Sequence, residues 1–140
     1  MTEIEQAQEE LIAEFELFDN WMDRYQYIID LGRNLPEFPD DWRTEEYRIR
    51  GCQSQVWLRT TPSDGRLEFQ AISDSAIVSG LIAILMRVYS GKEARDIAVA
   101  TPAFIGAIGL DEHLSPTRSN GLNAMITAIR QAAQDRVGGQ

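Results

Sequence analysis

Cysteine is almost missing from this 140-residue chain: Cys52 is the only one. A lone cysteine excludes an internal disulfide and suits a reducing compartment, so the expected location is cytoplasmic. Histidine is as scarce, with His113 alone. One Cys and one His cannot complete a structural zinc site, which takes four ligands mostly of those two types. Lysine occurs once, against twelve arginines. The longest strongly apolar run, near Ala76–Met86, is broken by Ser79 and Gly80 and is too short to span a bilayer. No cationic, apolar leader opens the sequence. Repeats, low-complexity tracts, phosphate-loop glycine patterns and calcium-loop spacing are all missing.

What is present is acid. The net charge is −9, which argues against nucleic acid and anionic membrane surfaces as partners. The charge is uneven. Residues 1–46 carry 14 acids and three bases, whereas residues 47–140 carry 8 acids and 10 bases. The acidic part is read as a solvated helical face or as a surface that meets a basic partner. Length and a 44% apolar content suit one domain over residues 1–140.

Periodicity predicts an amphipathic helix over Ile4–Phe18, with Ile4, Ala7, Leu11, Phe15 and Phe18 inward. Asn20 caps a second helix over Trp21–Leu31, with Trp21, Tyr25, Ile28 and Leu31 inward and Gly32 as its stop. Tyr47–Arg50 reads as a short strand. Gln55–Thr60 and Leu67–Ala71 alternate around Pro62-Ser63-Asp64-Gly65, a hairpin signal. Ser73 or Asp74 caps a strongly apolar helix to about Tyr89, packed on the sheet and ended by Gly91. Short helices follow at Lys92–Ala98 and at Pro102–Ile108, the latter closed by Gly109. Ser115-Pro116 opens the last helix, with Leu122, Met125, Ile126, Ile129 and Ala133 inward to about Arg136, and residues 138–140 expected to fray. The tryptophans Trp21, Trp42 and Trp57 read as core or loop anchors. The fold class is α+β, a small antiparallel sheet of about three strands with helices packed on it.

The chemistry concentrates in Arg48-Ile49-Arg50-Gly51-Cys52-Gln53-Ser54-Gln55-Val56-Trp57. A packing cysteine has apolar neighbours; this one follows a glycine and precedes three polar residues. Gly51 permits a tight bend. Arg48 and Arg50, if close, favour the thiolate, which is the nucleophile. His113 is the one candidate partner for a Cys–His pair. Arg118 falls in the first turn of the last helix, against the helix dipole, and so calls for a tertiary partner. From the residues alone the reading stops at a soluble α+β domain with one candidate reactive thiol.

Three separated motifs carry it further. Arg50–Trp57, Ser73–Leu81 and His113–Leu122, supported by Tyr25–Pro36, resemble the SufE family of sulfur-acceptor proteins over roughly residues 15–136. The resemblance implies the fold shared by SufE proteins and IscU-type iron–sulfur scaffolds. It implies a protein that is no enzyme by itself but the activator and partner of a pyridoxal-phosphate cysteine desulfurase of the SufS type. The desulfurase of the related CsdA–CsdE pair is the alternative. It places the persulfide acceptor at Cys52, with Gly51, Gln53, His113 and Arg118 in supporting places. It implies delivery of sulfur to a scaffold such as a SufBCD-type complex, and no cofactor on this chain, the pyridoxal phosphate belonging to the partner. It also implies a Cys52 loop sheltered at rest and mobile in the complex. Two other classes stand beside it: a stand-alone cysteine hydrolase using Cys52 and His113, and a binding module in which Cys52 is incidental.

Overall fold

A computed structural model describes residues 1–138. Helix α1 spans Glu3–Phe15, and the Thr2 hydroxyl and Glu5 carboxylate form a reciprocal capping box at its start. It ends one turn earlier than the apolar spacing suggests. Its inward stripe is Ile4, Gln8, Leu11 and Phe15, so Gln8 takes the place expected for Ala7. The buried amide is fully used. Its Nε2 donates to the Thr101 carbonyl (3.0 Å), and its Oε1 accepts from the Phe104 amide (3.1 Å).

Helix α2 runs over Trp21–Gly32 with Asn20 as its cap, as the sequence indicates. Of its expected inward residues, Ile28 is fully buried while Trp21, Tyr25 and Leu31 are half-buried. Gly32 is not a left-handed stop: it is helical, and Arg33 caps the helix with right-handed geometry. Its role is close approach. A Cβ on Gly32 would lie 2.6 Å from the amide nitrogen of Gly80 in the facing helix.

The segment 33–55 is irregular, with single 3-10 turns at Asp40–Trp42 and Glu45–Tyr47. The short strand expected over Tyr47–Arg50 is therefore reduced to one bridge, Arg48 opposite Trp57. Strands β1 (Val56–Ser63) and β2 (Arg66–Ser73) form the expected hairpin; β1 starts at Val56 and runs on to Ser63, and β2 extends the expected Leu67–Ala71 at both ends. Its two-residue turn has positive φ at Asp64 (50°) and Gly65 (79°), the geometry that matches strand twist. Pro62 is accommodated in β1 because β1 is an edge strand. The third strand, β3, is Lys92–Glu93, antiparallel to β2, and it takes the first two residues of the short helix expected over Lys92–Ala98. Side-chain periodicity cannot reveal a two-residue strand; its pairing is set by the turn at Gly91 (φ +78°).

Helix α3 (Ala76–Tyr89) is the most buried helix, as its composition demands. It packs on β2 and, most extensively, on α2. Helix α4 (Ala94–Val99) follows β3, then α5 (Phe104–Ile108) and a one-turn helix α6 (Leu110–His113), separated by Gly109 at φ +92°. Helix α7 covers Pro116–Gly138 and buries the five residues expected of it, against α4 and α3. The expected fraying of residues 139 and 140 lies outside the described residues. The whole is an α+β fold with a three-stranded antiparallel sheet in the order β1-β2-β3. Among the described residues no helix is long and apolar enough to cross a membrane.

Candidate functional site

The residues around Cys52 are held as a closed excursion between two pinned ends. On one side the Ile49 amide donates to the Val56 carbonyl (2.9 Å). On the other the Gln55 amide donates to Asp74 Oδ1 (3.1 Å), and the Asp74 amide returns a bond to the Gln55 carbonyl (3.3 Å). Asp74 is thus a tie for the loop and not the helix cap. The cap is Ser75, whose Oγ accepts from the Val78 amide (3.4 Å). Capping chemistry favours Ser and Asp alike, so local sequence could not divide the roles. Between the ends, Gly51 turns the chain at φ +89°, a value that side-chain-bearing residues rarely adopt.

The turn sends Cys52 toward the start of α7. Its Sγ lies 3.6 Å from the Gly121 carbonyl oxygen, within range for the thiol to donate a weak hydrogen bond. A methyl on Gly121 would stand 3.7 Å from the sulfur, an ordinary packing distance, so the thiol lies directly against the helix surface at Gly121. The thiol is half-buried, and burial pushes its pKa up. The expected arginine effect is not there. Arg48 and Arg50 both turn to Glu45, at 3.4 and 2.9 Å, on the exposed side of the loop. With their charge answered by that carboxylate, they do not drive Cys52 toward thiolate.

A cleft of about 420 Å³ opens beside the sulfur. Gln53 and Ser54 of the loop line it. So do Ser75, Val78 and Leu81 from the start of α3 and its cap, and Ser115, Thr117, Arg118, Gly121, Leu122 and Met125 from the start of α7 and its cap. Of the predicted site residues, Cys52, Gln53 and Arg118 therefore meet here, with Gly51 as the turn behind them. The tertiary partner that Arg118 called for is Tyr25, whose ring centroid lies 6.0 Å from the guanidinium carbon. The Ser115 hydroxyl accepts the Arg118 amide (3.3 Å), the capping role its sequence signal promised.

His113 is elsewhere. Its ring stacks on Trp21 at 4.6 Å with an 11° tilt, and it lines a separate cleft with Asp19, Asn20 and Arg24. That cleft shares no lining residue with the one at Cys52. The Cys52–His113 pair that a hydrolase needs is not formed. Among the described residues no group of three or more His, Cys, Asp or Glu side chains is arranged to hold a metal. The site offers a sheltered nucleophilic sulfur with no built-in base beside it.

Fold and site together define a helix-rich α+β domain organised around one sheltered thiol. The model of the SufE family, described as an Fe-S metabolism associated domain, matches residues 9–133. An uncharacterized SufE-like protein of Rhizobium meliloti is 45% identical over 134 residues, covering 92% of this chain and 96% of the relative. An uncharacterized SufE-like protein of Rhizobium etli is 46% identical over 134 residues, covering 91% and 90%. The solution structure of a hypothetical protein from Thermus thermophilus shares the fold, with a TM-score of 0.77 over 94% of this chain and 96% of that one at 17% identity. The chain belongs to the SufE family, the family that its three motifs resemble.

Proposed function

We propose that the protein is a sulfur carrier that takes persulfide sulfur onto Cys52 from a pyridoxal-phosphate cysteine desulfurase of the SufS type, and in doing so stimulates it. The Cys52 thiolate attacks the outer sulfur of the donor persulfide. The donor's sulfur–sulfur bond breaks, its cysteine leaves as a thiolate, and Cys52 holds the transferred sulfur as a new persulfide. The pyridoxal phosphate belongs to the desulfurase, and this chain works in the cytoplasm without a cofactor of its own. A scaffold such as a SufBCD-type complex receives the sulfur.

The observation that carries this reading is the seat of the sulfur. The chain's one thiol stands on a loop pinned at both ends, against the Gly121 carbonyl, with no histidine lining its cleft and no metal-holding cluster among the described residues. A raised pKa and half-burial suit a carrier better than a self-activated nucleophile. Such a thiol is spared the oxidation that an exposed thiolate suffers and waits for a partner to draw it out.

The test is intact-protein mass spectrometry after mixing with desulfurase and L-cysteine without reductant. Gain of one sulfur atom, mapped to Cys52 and dependent on both additions, is expected. Cys52→Ser should abolish the gain and still bind the desulfurase. No gain with a desulfurase of proven activity from the same organism would refute the carrier reading.

A further inference from the structure

Resting on the carrier reading, we infer that the Cys52 cleft also binds a small persulfide bearing a carboxylate, of amino-acid size, and accepts its outer sulfur directly. The cleft is far larger than one sulfur atom requires. At about 420 Å³ it falls within the roughly 300–1,000 Å³ of small-molecule sites. Its lining is also chemically one-sided. In a chain with 22 acids against 13 bases, the cleft contains no carboxylate among the described residues, and Arg118 is the only charged one of them that lines it. Arg118 forms no ion pair among the described residues, and its Tyr25 contact, at 6.0 Å, is at the outer limit of a cation–π interaction. Its guanidinium edge is thus free to take a carboxylate with paired hydrogen bonds. The lining residues Ser54 and Thr117 carry hydroxyls, and Val78 and Met125 offer apolar surface to a short carbon stem. A cation, hydroxyls, apolar surface and a nucleophilic sulfur around one cleft fit an amino-acid-like sulfur compound.

The step balances without an added oxidant or reductant. Cys52 loses its proton to solvent, and the thiolate attacks the terminal sulfur of R–S–SH. The bond between the two donor sulfurs breaks, and R–S⁻ leaves with the electron pair and takes up a proton. Cys52–SH and R–S–SH become Cys52–S–SH and R–SH.

The experiment omits the desulfurase. Reduced protein is mixed with the persulfide of cysteine, or with that of cysteamine, which has the same stem without the carboxylate. The one-sulfur gain on Cys52 is followed by mass spectrometry against concentration. Saturable uptake from cysteine persulfide is expected, ~10-fold more efficient than from cysteamine persulfide, about what one charge-assisted contact supplies. Arg118→Gln should erase the preference and Arg118→Lys should restore part of it. Equal, non-saturating uptake from both persulfides, or a preference that survives in Arg118→Gln, would overturn the inference. Should the desulfurase charge Cys52 while the small persulfides show no preference, this inference fails and the carrier reading stands. Should neither source charge it, both fail.

Discussion

The sulfur of Cys52 and the carbonyl oxygen of Gly121 face each other across 3.6 Å, and the contact favours the protonated thiol. A thiolate there would have no proton to share and would meet the oxygen's lone pairs in a half-buried place. The consequence is a pH profile. Alkylation of Cys52 by iodoacetamide should rise with a midpoint above that of an ordinary exposed thiol, because burial pushes the pKa up. Folding linkage has a definite sign. The folded state holds this proton more tightly than the unfolded chain, so the thiol's contribution to stability is whole below the unfolded pKa. It fades as pH climbs through the folded pKa. Cys52→Ser should flatten that alkaline loss in urea titrations run at several pH values. A reaction midpoint below that of free cysteine would contradict the sheltered seat.

The arginines before Cys52 should be dispensable for its chemistry. Both are drawn to Glu45 on the exposed side of the loop. Arg48→Ala and Arg50→Ala, singly or together, should leave the alkylation midpoint where it is in the parent, given how weakly exposed and paired charges act at a distance. A drop in thiol reactivity of tenfold in either variant would show that they do tune Cys52. His113→Ala should likewise leave the midpoint in place, its stacking on Trp21 being its main contact.

These two residue sets show how far the sequence could be read. Helices α3 and α7 were legible to within a few residues, α3 because it is apolar nearly all round and α7 because Ser115-Pro116 marks its start and one apolar stripe its buried face. The hairpin was legible because Asp64 and Gly65 can adopt the positive φ that its turn requires. Cys52 stood out because its neighbours are wrong for packing. What stayed hidden was spatial. Nothing in the order of residues says that Glu45 claims both arginines, that His113 lies against Trp21, or that Asp74 ties the loop while Ser75 caps the helix. Gly32 shows the same limit. Its local signal says stop, but its structural role is set by Gly80, 48 positions away, and only the helix crossing reveals it.

That crossing gives the largest expected loss of stability. A Cβ on Gly80 would stand 2.1 Å from the Ile28 carbonyl oxygen and 2.6 Å from its carbon. Backbone cannot step aside as a side-chain tip can, so α2 and α3 would have to separate. Gly80→Ala should cost about 3 kcal/mol or more, at the upper end of overpacking substitutions, read as a lowered urea midpoint. Gly65→Ala is the useful contrast. Nothing lies within 4 Å of the added methyl, so its smaller cost comes from the positive φ alone. A Gly80→Ala protein as stable as the parent would mean that the two helices are not in backbone contact.

The acid limb of stability should depend on one long-range pair. The two terminal nitrogens of the Arg87 guanidinium donate to the two carboxylate oxygens of Glu14, joining α3 to α1. The Tyr27 hydroxyl adds a bond to Glu14 Oε1 at 2.6 Å. The hydrogen bonds from Arg87 hold the Glu14 carboxyl below its ordinary range despite some opposing burial. A carboxyl whose pKa is lowered on folding stabilises the fold above its unfolded value and loses that contribution as pH falls through the folded one. Glu14 and Arg87 are each about a third exposed, so solvent screens the pair. Glu14→Gln should therefore cost about 1 kcal/mol at neutral pH and make little difference in strong acid, where the parent carboxyl is protonated as well. Urea unfolding of the two proteins from pH 7 down to pH 3 would show the curves converging. Curves that stay parallel across that range would assign the cost of the substitution to packing and not to the charge.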